Sequence, residues 1–157
     1  MTMKVRLATI ALALGGAIAA PAAAAEGCEG VQNANSAKLS IQVAGVRSAK
    51  GEVAVTVYPD DKRRFLAKGG KLARVRTKAL LVTHTCFWVA PGSYAVAVYH
   101  DANGDRDFNR TLVGLPAEGF GFSNNPETKV GLPPLSAARF NVGSAERVLS
   151  IQLRYLR

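Results

Sequence analysis

Apolar and polar side chains alternate along this chain in a way that predicts strands and little else. Leu39, Ile41 and Val43 alternate with Ser40 and Gln42, the period of two that half-buries a strand. After a turn between Gly45 and Gly51, Val53, Val55 and Val57 alternate with Glu52, Ala54 and Thr56, and the two runs read as a hairpin. Pro59 and Asp60-Asp61 end the second run. The next stretch mixes its signals. Asp61 to Ala67 suits one helical turn, Gly69-Gly70 breaks it, and Arg74 to Thr77 suits a short edge strand guarded by its charges. Leu80 to Val89 is an apolar run of strand length, with Trp88 assigned to the core and His84 to a structural place within it.

Pro91-Gly92 marks a turn. Beyond it Tyr94, Val96 and Val98 share one face of a strand, and Ala95, Ala97 and Tyr99 share the other. A long loop follows, from His100 to about Pro134. Phe140 and Val142 suit a short strand. Leu149, Ile151, Leu153 and Tyr155 alternate with Ser150, Gln152 and Arg154 in a last one. The sum is about seven short strands and no helix longer than a turn, which predicts an all-β fold: a single antiparallel β-sandwich with one long ordered loop, or else a barrel. Loops of that length in a compact domain are packed on themselves or functional.

The chain has 157 residues. Its first 25 are not counted as fold. Lys4 and Arg6 begin it, Leu7 to Ala20 is apolar, and Ala23-Ala24-Ala25 offers a small-residue cleavage site, so residues 1–25 read as a secretory signal. The apolar run is too short for a membrane span. Residues 26–36 read as a loose polar leader and 37–157 as the β-domain. An exported chain with two cysteines predicts a Cys28–Cys86 disulfide. A lipid anchor on Cys28 is the rival, and Glu26 just ahead of it weighs against that reading.

The formal charge is +9. A basic balance can serve nucleic acid, lipid or acidic polymers. Here the basic residues are dense only over 62–78, with Phe65 as the one aromatic there, so no stacking platform for nucleic acid is present.

The chemically pointed residues lie in the long loop. Asp101, Asn103, Asp105 and Asp107 place a side-chain oxygen at every second position, and Gly104 lets the backbone turn between them. A calcium ion takes about six to eight oxygens, and a curling loop of this kind can supply several, with Glu118 returning as a distant ligand. Arg106 stands where the calcium loop has its invariant glycine, and Leu112 where it has its bidentate glutamate. The alternative is an Asx-rich turn in which the same side chains bond their own backbone. His100 beside Asp101 admits a hydrolase using the histidine and a carboxylate, but no Gly-x-Ser-x-Gly elbow accompanies it, and a histidine holding the loop is the simpler role. Two histidines do not make a zinc cluster. The run Gly119, Phe120, Gly121, Phe122, Ser123, Asn124, Asn125 suits a platform for sugar or peptide, His100 beside it. It equally suits a loop anchored over the sheet by its two phenylalanines.

Three motifs in order carry a resemblance: Pro91-Gly92-x-Tyr94-Ala95-Val96 running into His100-Asp101-x-Asn103-x-Asp105; Gly114-x-Pro116-x-Glu118-Gly119-x-Gly121-Phe122-Ser123-Asn124; and Pro134 to Phe140. They resemble the pattern HDxNxNxxxD, GxPxEGxGFSN of a family of small secreted bacterial proteins known as a domain of unknown function. The closing acid departs from the pattern, since Asp107 comes two residues after Asp105 rather than four. The resemblance implies an Ig-like or transthyretin-like sandwich, similar to carboxypeptidase-regulatory modules, and no settled activity. The expectation is a periplasmic or secreted, non-enzymatic module with an unknown envelope protein or glycan as partner, calcium as its one candidate cofactor, and no transmembrane segment in the mature chain. A purely structural or protein-interaction module without metal is the alternative.

Overall fold

A computed structural model describes residues 27–128 and 131–156. The expected signal segment, residues 1–25, lies outside the described residues. The strands are β1 (Ala37–Ala44), β2 (Glu52–Pro59), β3 (Ala73–Lys78), β4 (Val82–Val89), β5 (Gly92–Asp101), β6 (Gly119–Phe122), β7 (Phe140–Val142) and β8 (Arg147–Gln152), with one short helix, α1 (Leu135–Ala138), before β7. A three-stranded sheet runs β4-β1-β8, and a larger sheet runs β3-β2-β5-β6, with β7 also paired to β5. The inner faces meet in one core: Leu39, Ile41, Val43, Phe87 and Ile151 from one sheet, Val53, Val55, Val57, Val96 and Val98 from the other. Each of these side chains is essentially solvent-free, and burying one stabilises the fold by about 1.5–3 kcal/mol relative to leaving it exposed. The all-β sandwich follows from the alternation.

Pairings are where the structure corrects the sequence. The expected hairpin of β1 with β2 does not form. β1 pairs β4 and β8, while β2 lies in the opposite sheet between β3 and β5. Alternation states which face is apolar but not which neighbour lies alongside. Here the two apolar faces are spent on each other across the sandwich. Gly45, at φ 82°, begins the crossing, and a side chain there would strike Gln152 and the Leu153 carbonyl. The β1–β8 pairing is parallel, so the sandwich is not purely antiparallel. In β4 the inward residues are Phe87 and Val89, which leaves Trp88 half-buried rather than in the core and His84 exposed. Asp61 opens a single helical turn, closed by Phe65 N–H on the Asp61 carbonyl at 2.9 Å and continued as turns, and the charged edge strand is present as β3.

The leader is tied down. Cys28 bonds Cys86, Glu29 N–H donates to the Cys86 carbonyl at 3.0 Å, and Trp88 N–H donates to the Glu29 carbonyl at 2.8 Å. These bonds give the β4 edge a short neighbour. At the opposite edge, the chain leaving β8 crosses to the larger sheet: Phe120 and Arg154 exchange backbone hydrogen bonds at 2.9 and 2.8 Å. Tyr155 then lies over Gly119, where any Cβ would overlap its ring.

The disulfide links residues 58 apart in sequence. In the chain-entropy model, closing such a loop stabilises by about 4 kcal/mol. A Cys28→Ser/Cys86→Ser variant should lose that order of stability in denaturant titration with an unchanged circular-dichroism spectrum. A loss below the error of the titration would mean that the leader contributes nothing to the fold.

Candidate functional site

β5 carries the chain from the core to the chemically loaded loop. Its last two side chains point to opposite faces, as strand geometry requires. His100 turns inward and is 2% exposed. Its Nε2 lies 2.8 Å from the Lys50 carbonyl, which can only accept, so that nitrogen carries the proton. Nδ1 then accepts from the Tyr155 hydroxyl at 2.8 Å, and the same oxygen accepts from Arg47 N–H at 3.1 Å. The ring therefore ties the 45–51 turn to the C-terminal segment, and both its nitrogens are spent in doing so.

Asp101 turns outward yet has no exposure. Its Oδ1 accepts from Gly104 N–H at 2.8 Å. Its Oδ2 accepts from Arg106 N–H at 2.8 Å and from Arg76 Nη1 at 3.2 Å. Arg76 also donates to the Tyr99 hydroxyl at 2.6 Å and to the Arg106 carbonyl at 2.9 Å. Arg106 takes a left-handed φ of 66°, the conformation a glycine adopts without strain. Its N–H goes to Asp101 while its carbonyl turns to Arg76 and the Tyr99 hydroxyl.

The oxygens of Asp105 and Glu118 are also turned on the chain. Asp105 Oδ1 accepts from Asp107 N–H at 2.9 Å, and its Oδ2 accepts from Asn103 Nδ2 at 2.7 Å and Asn109 Nδ2 at 2.8 Å. Glu118 Oε2 accepts from Asn109 N–H at 3.1 Å. Asp107 is exposed, and Leu112 stands fully in solvent. Among the described residues no three His, Cys, Asp or Glu side chains group as metal ligands. The residues named for calcium thus share one loop; the oxygens of Asp101, Asp105 and Glu118 face donors of the protein, and an ion there would have to replace those bonds. Burial pushes the Glu118 carboxyl above its usual range, helped by the charges of Asp101 and Asp105, while the N–H groups of Asn109 and Ala102 oppose the rise.

The Gly119–Asn125 run is bonded into the framework of the fold. Ser123 Oγ accepts from Val96 N–H at 2.9 Å and donates to the Ala138 carbonyl. Asn124 Nδ2 donates to the Arg139 carbonyl at 2.7 Å, and Asn125 receives Gln152 N–H at 2.8 Å. These bonds clamp α1 and β8 to the larger sheet. Phe120 and Phe122 are the anchors, packed into a second apolar cluster on the outer face of that sheet.

That outer face holds a feature the sequence reading missed. Across the strands, Arg74, Thr56, Ala97 and Phe122 stand in one row, and Arg76, Ala54, Tyr99 and Phe120 in the next. Thr56 and Ala97 in the middle of the first row and Ala54 in the second are small, and the arginines and aromatic rings around them are large. The result is a cleft of about 430 Å³. Leu66 and Lys68 from the turns after β2 form one wall, and Phe108 and Arg110 from the long loop form the other. Phe108 sits edge-on to Tyr99 and Phe120. The available signal was β2 and β5 themselves: Ala54, Thr56 and Tyr58, like Ala95 and Tyr99, are too apolar for a face left to water.

These features define an all-β sandwich, disulfide-linked, with a carboxylate-pinned loop beside an aromatic cleft. Residues 41–150 match the family model described as "Uncharacterized protein conserved in bacteria (DUF2141)", and the chain belongs to that family. No curated protein and no solved structure matches it.

Two predictions test the loop. Asp101→Ala leaves Arg76 and two N–H groups without their acceptor and should cost roughly 3 kcal/mol. Asp101→Asn should cost nearly as much, because its amide then faces donors, whereas Asp107→Ala should be near neutral. Equal, small losses for all three in chemical denaturation would contradict the pinning. For Glu118 the raised folded-state pKa means that the folded protein holds the proton more tightly than the unfolded one. Its ionisation therefore lowers stability as pH rises from the ordinary carboxylate range through the raised value. Glu118→Gln should remove that fall, so that denaturant titrations of wild type and variant converge below about pH 4 and separate towards neutrality. Parallel curves would show that the charge is not strained.

Proposed function

We propose that this protein is an exported, non-catalytic binding module that presents the outer face of its five-stranded sheet to a ligand of the cell envelope. The observation that carries the reading is the second apolar cluster, which covers that face only in part and leaves a cleft beside the pinned loop. A face that served architecture alone would be closed or polar. Export is supported by the Cys28–Cys86 bridge, since disulfides persist in oxidising compartments. Among the described residues no helix is long and apolar enough to cross a membrane. The likeness to transthyretin-like and carboxypeptidase-regulatory modules enters here as a reading of the sandwich alone.

A non-catalytic role is supported by the state of the one His–carboxylate pair. His100 and Asp101 are adjacent in sequence but point to opposite sides of β5, and each has its polar atoms bonded within the fold. A general base needs a lone pair free for a substrate proton. Our reading of the 101–118 loop is that its own donors hold it rather than calcium. The second reading keeps calcium, and the buried, unpartnered Asn109 Oδ1 favours it.

Two measurements decide these points. Protein recovered from the periplasm of an expression host should resist thiol alkylation until reduced, and should turn over no ester, amide, glycoside or phosphoester substrate at a rate that His100→Gln lowers. A His100-dependent rate would end the non-catalytic reading. The melting temperature should be the same in calcium and in chelator, with no heat on calcium titration. A raised melting temperature lost in Asp105→Ala would install the ion instead.

A further inference from the structure

The cleft has a chemical bias that neither the fold nor the family accounts for. Its floor is apolar and aromatic, with Tyr58, Tyr99, Phe120 and Phe122 around the small pair Thr56 and Ala97. Its rim is cationic: Arg74, Arg110, Lys68 and Lys71 stand against a single acid, Asp107. The partners of the two arginines are neutral. Arg74 Nε donates to Thr56 Oγ1 at 2.7 Å, and its guanidinium lies 5.8 Å from the Tyr99 ring centre. Arg110 donates to the Gly114 carbonyl at 3.0 Å and lies 5.4 Å from the Phe108 ring centre. Among the described residues no carboxylate is paired with any of the four cations, although Arg76, one register step from Arg74, has two. Neutral oxygens fix the guanidiniums in place but leave their charge uncompensated, and a planar fork so held matches a carboxylate or phosphate.

We propose that this cleft binds a small amphipathic organic anion, its apolar body on the aromatic floor and its carboxylate or phosphate head between Arg74 and Arg110. The cleft's volume of about 430 Å³ is that of a site for one small molecule. This also gives the dense basic stretch a use, since Lys68, Lys71 and Arg74 all belong to it. The proposal rests on the binding-module reading and narrows it to one ligand class.

The test uses the mature, oxidised protein and four ten-carbon probes below their micelle-forming concentrations: decanoate, decyl phosphate, decanol and decyltrimethylammonium. Titration calorimetry should show saturable binding of both anions, weakened by added salt. Decanol should bind at least about tenfold more weakly, as the loss of one charge-assisted contact implies, and the cation should not bind. The ratio of decanoate to decyl phosphate tells which head group the fork prefers. Ala97→Leu fills the hollow and should abolish all binding, with folding checked by thermal melt. Should that variant melt early, Arg74→Gln/Arg110→Gln decides: it should weaken both anions about tenfold or more and leave decanol unchanged. Absence of saturable anion binding, equal binding of the cationic probe, or anion binding untouched by the arginine pair would each overturn the proposal. Such a failure leaves the module reading intact, because export and His100 independence are measured separately. A His100-dependent turnover would overturn the module and leave the probe titrations to be read on their own.

Discussion

A carboxylate with no solvent exposure, at the very end of β5, is the constraint on which the functional half of this molecule depends. Removing such a charge from water is costly unless it is hydrogen-bonded and paired. Asp101 meets both conditions locally, with two backbone N–H groups from its own loop and the Arg76 guanidinium from the neighbouring edge of the sheet. The consequences spread outward. The loop doubles back within five residues, and Arg106, at a left-handed dihedral, closes it with its N–H on Asp101. Arg76 must lie flat along the sheet, so it reaches the Tyr99 hydroxyl and holds that ring upright. Tyr99 in turn is a wall of the cleft, and Phe108 leans on it. One buried charge thereby sets both the path of the loop and the shape of the hollow beside it.

His100 does the matching work on the inner side. Consecutive residues of a strand face opposite ways, so β5 ends with one polar group sealed into the sandwich and one sealed beneath the loop. The histidine gathers the β1–β2 connection and the C-terminal segment through Lys50, Tyr155 and Arg47. Gly119 is what admits Tyr155 to this arrangement, because the ring occupies the space of a side chain there. His100 and Asp101 thus fasten two separate parts of the chain, back to back through one backbone.

Much of the fold was legible because alternation reports directly on burial. Leu39, Ile41 and Val43, or Leu149 and Ile151, face the core just as their spacing requires. Lateral pairing was not legible, since a strand's period is indifferent to its neighbour. That is why β1 and β2 read as a hairpin and proved to face each other across the core. Trp88 misled for a related reason: Phe87 and Trp88 are adjacent and both large, so only register could say which turned inward. At the site, the oxygen-rich loop was visible as a cluster, and both of its readings were open. The donor geometry that bears on the choice between them, such as Asp105 accepting from Asn103 and Asn109, is contained in no spacing rule.

The cleft was the harder feature, because it is made by residues that are small. Thr56 and Ala97 are unremarked in any motif, yet they are neighbours across β2 and β5, and the aromatic rings around them cannot close over so little volume. A sheet whose outer face carries Tyr58, Tyr99, Phe120 and Phe122 would ordinarily bury them under a helix, as two-layer architecture favours. Here only turns and the pinned loop lie over that face, and α1 is a single turn at its margin. The unfilled space follows from that substitution. Its cationic rim is made in part by β3, an edge strand whose charges guard the edge and whose Arg74 reaches the hollow, with Lys68, Lys71 and Arg110 from the neighbouring turns and loop. Arg74 is thus both a charge guarding the sheet edge and a part of the cleft's cationic rim.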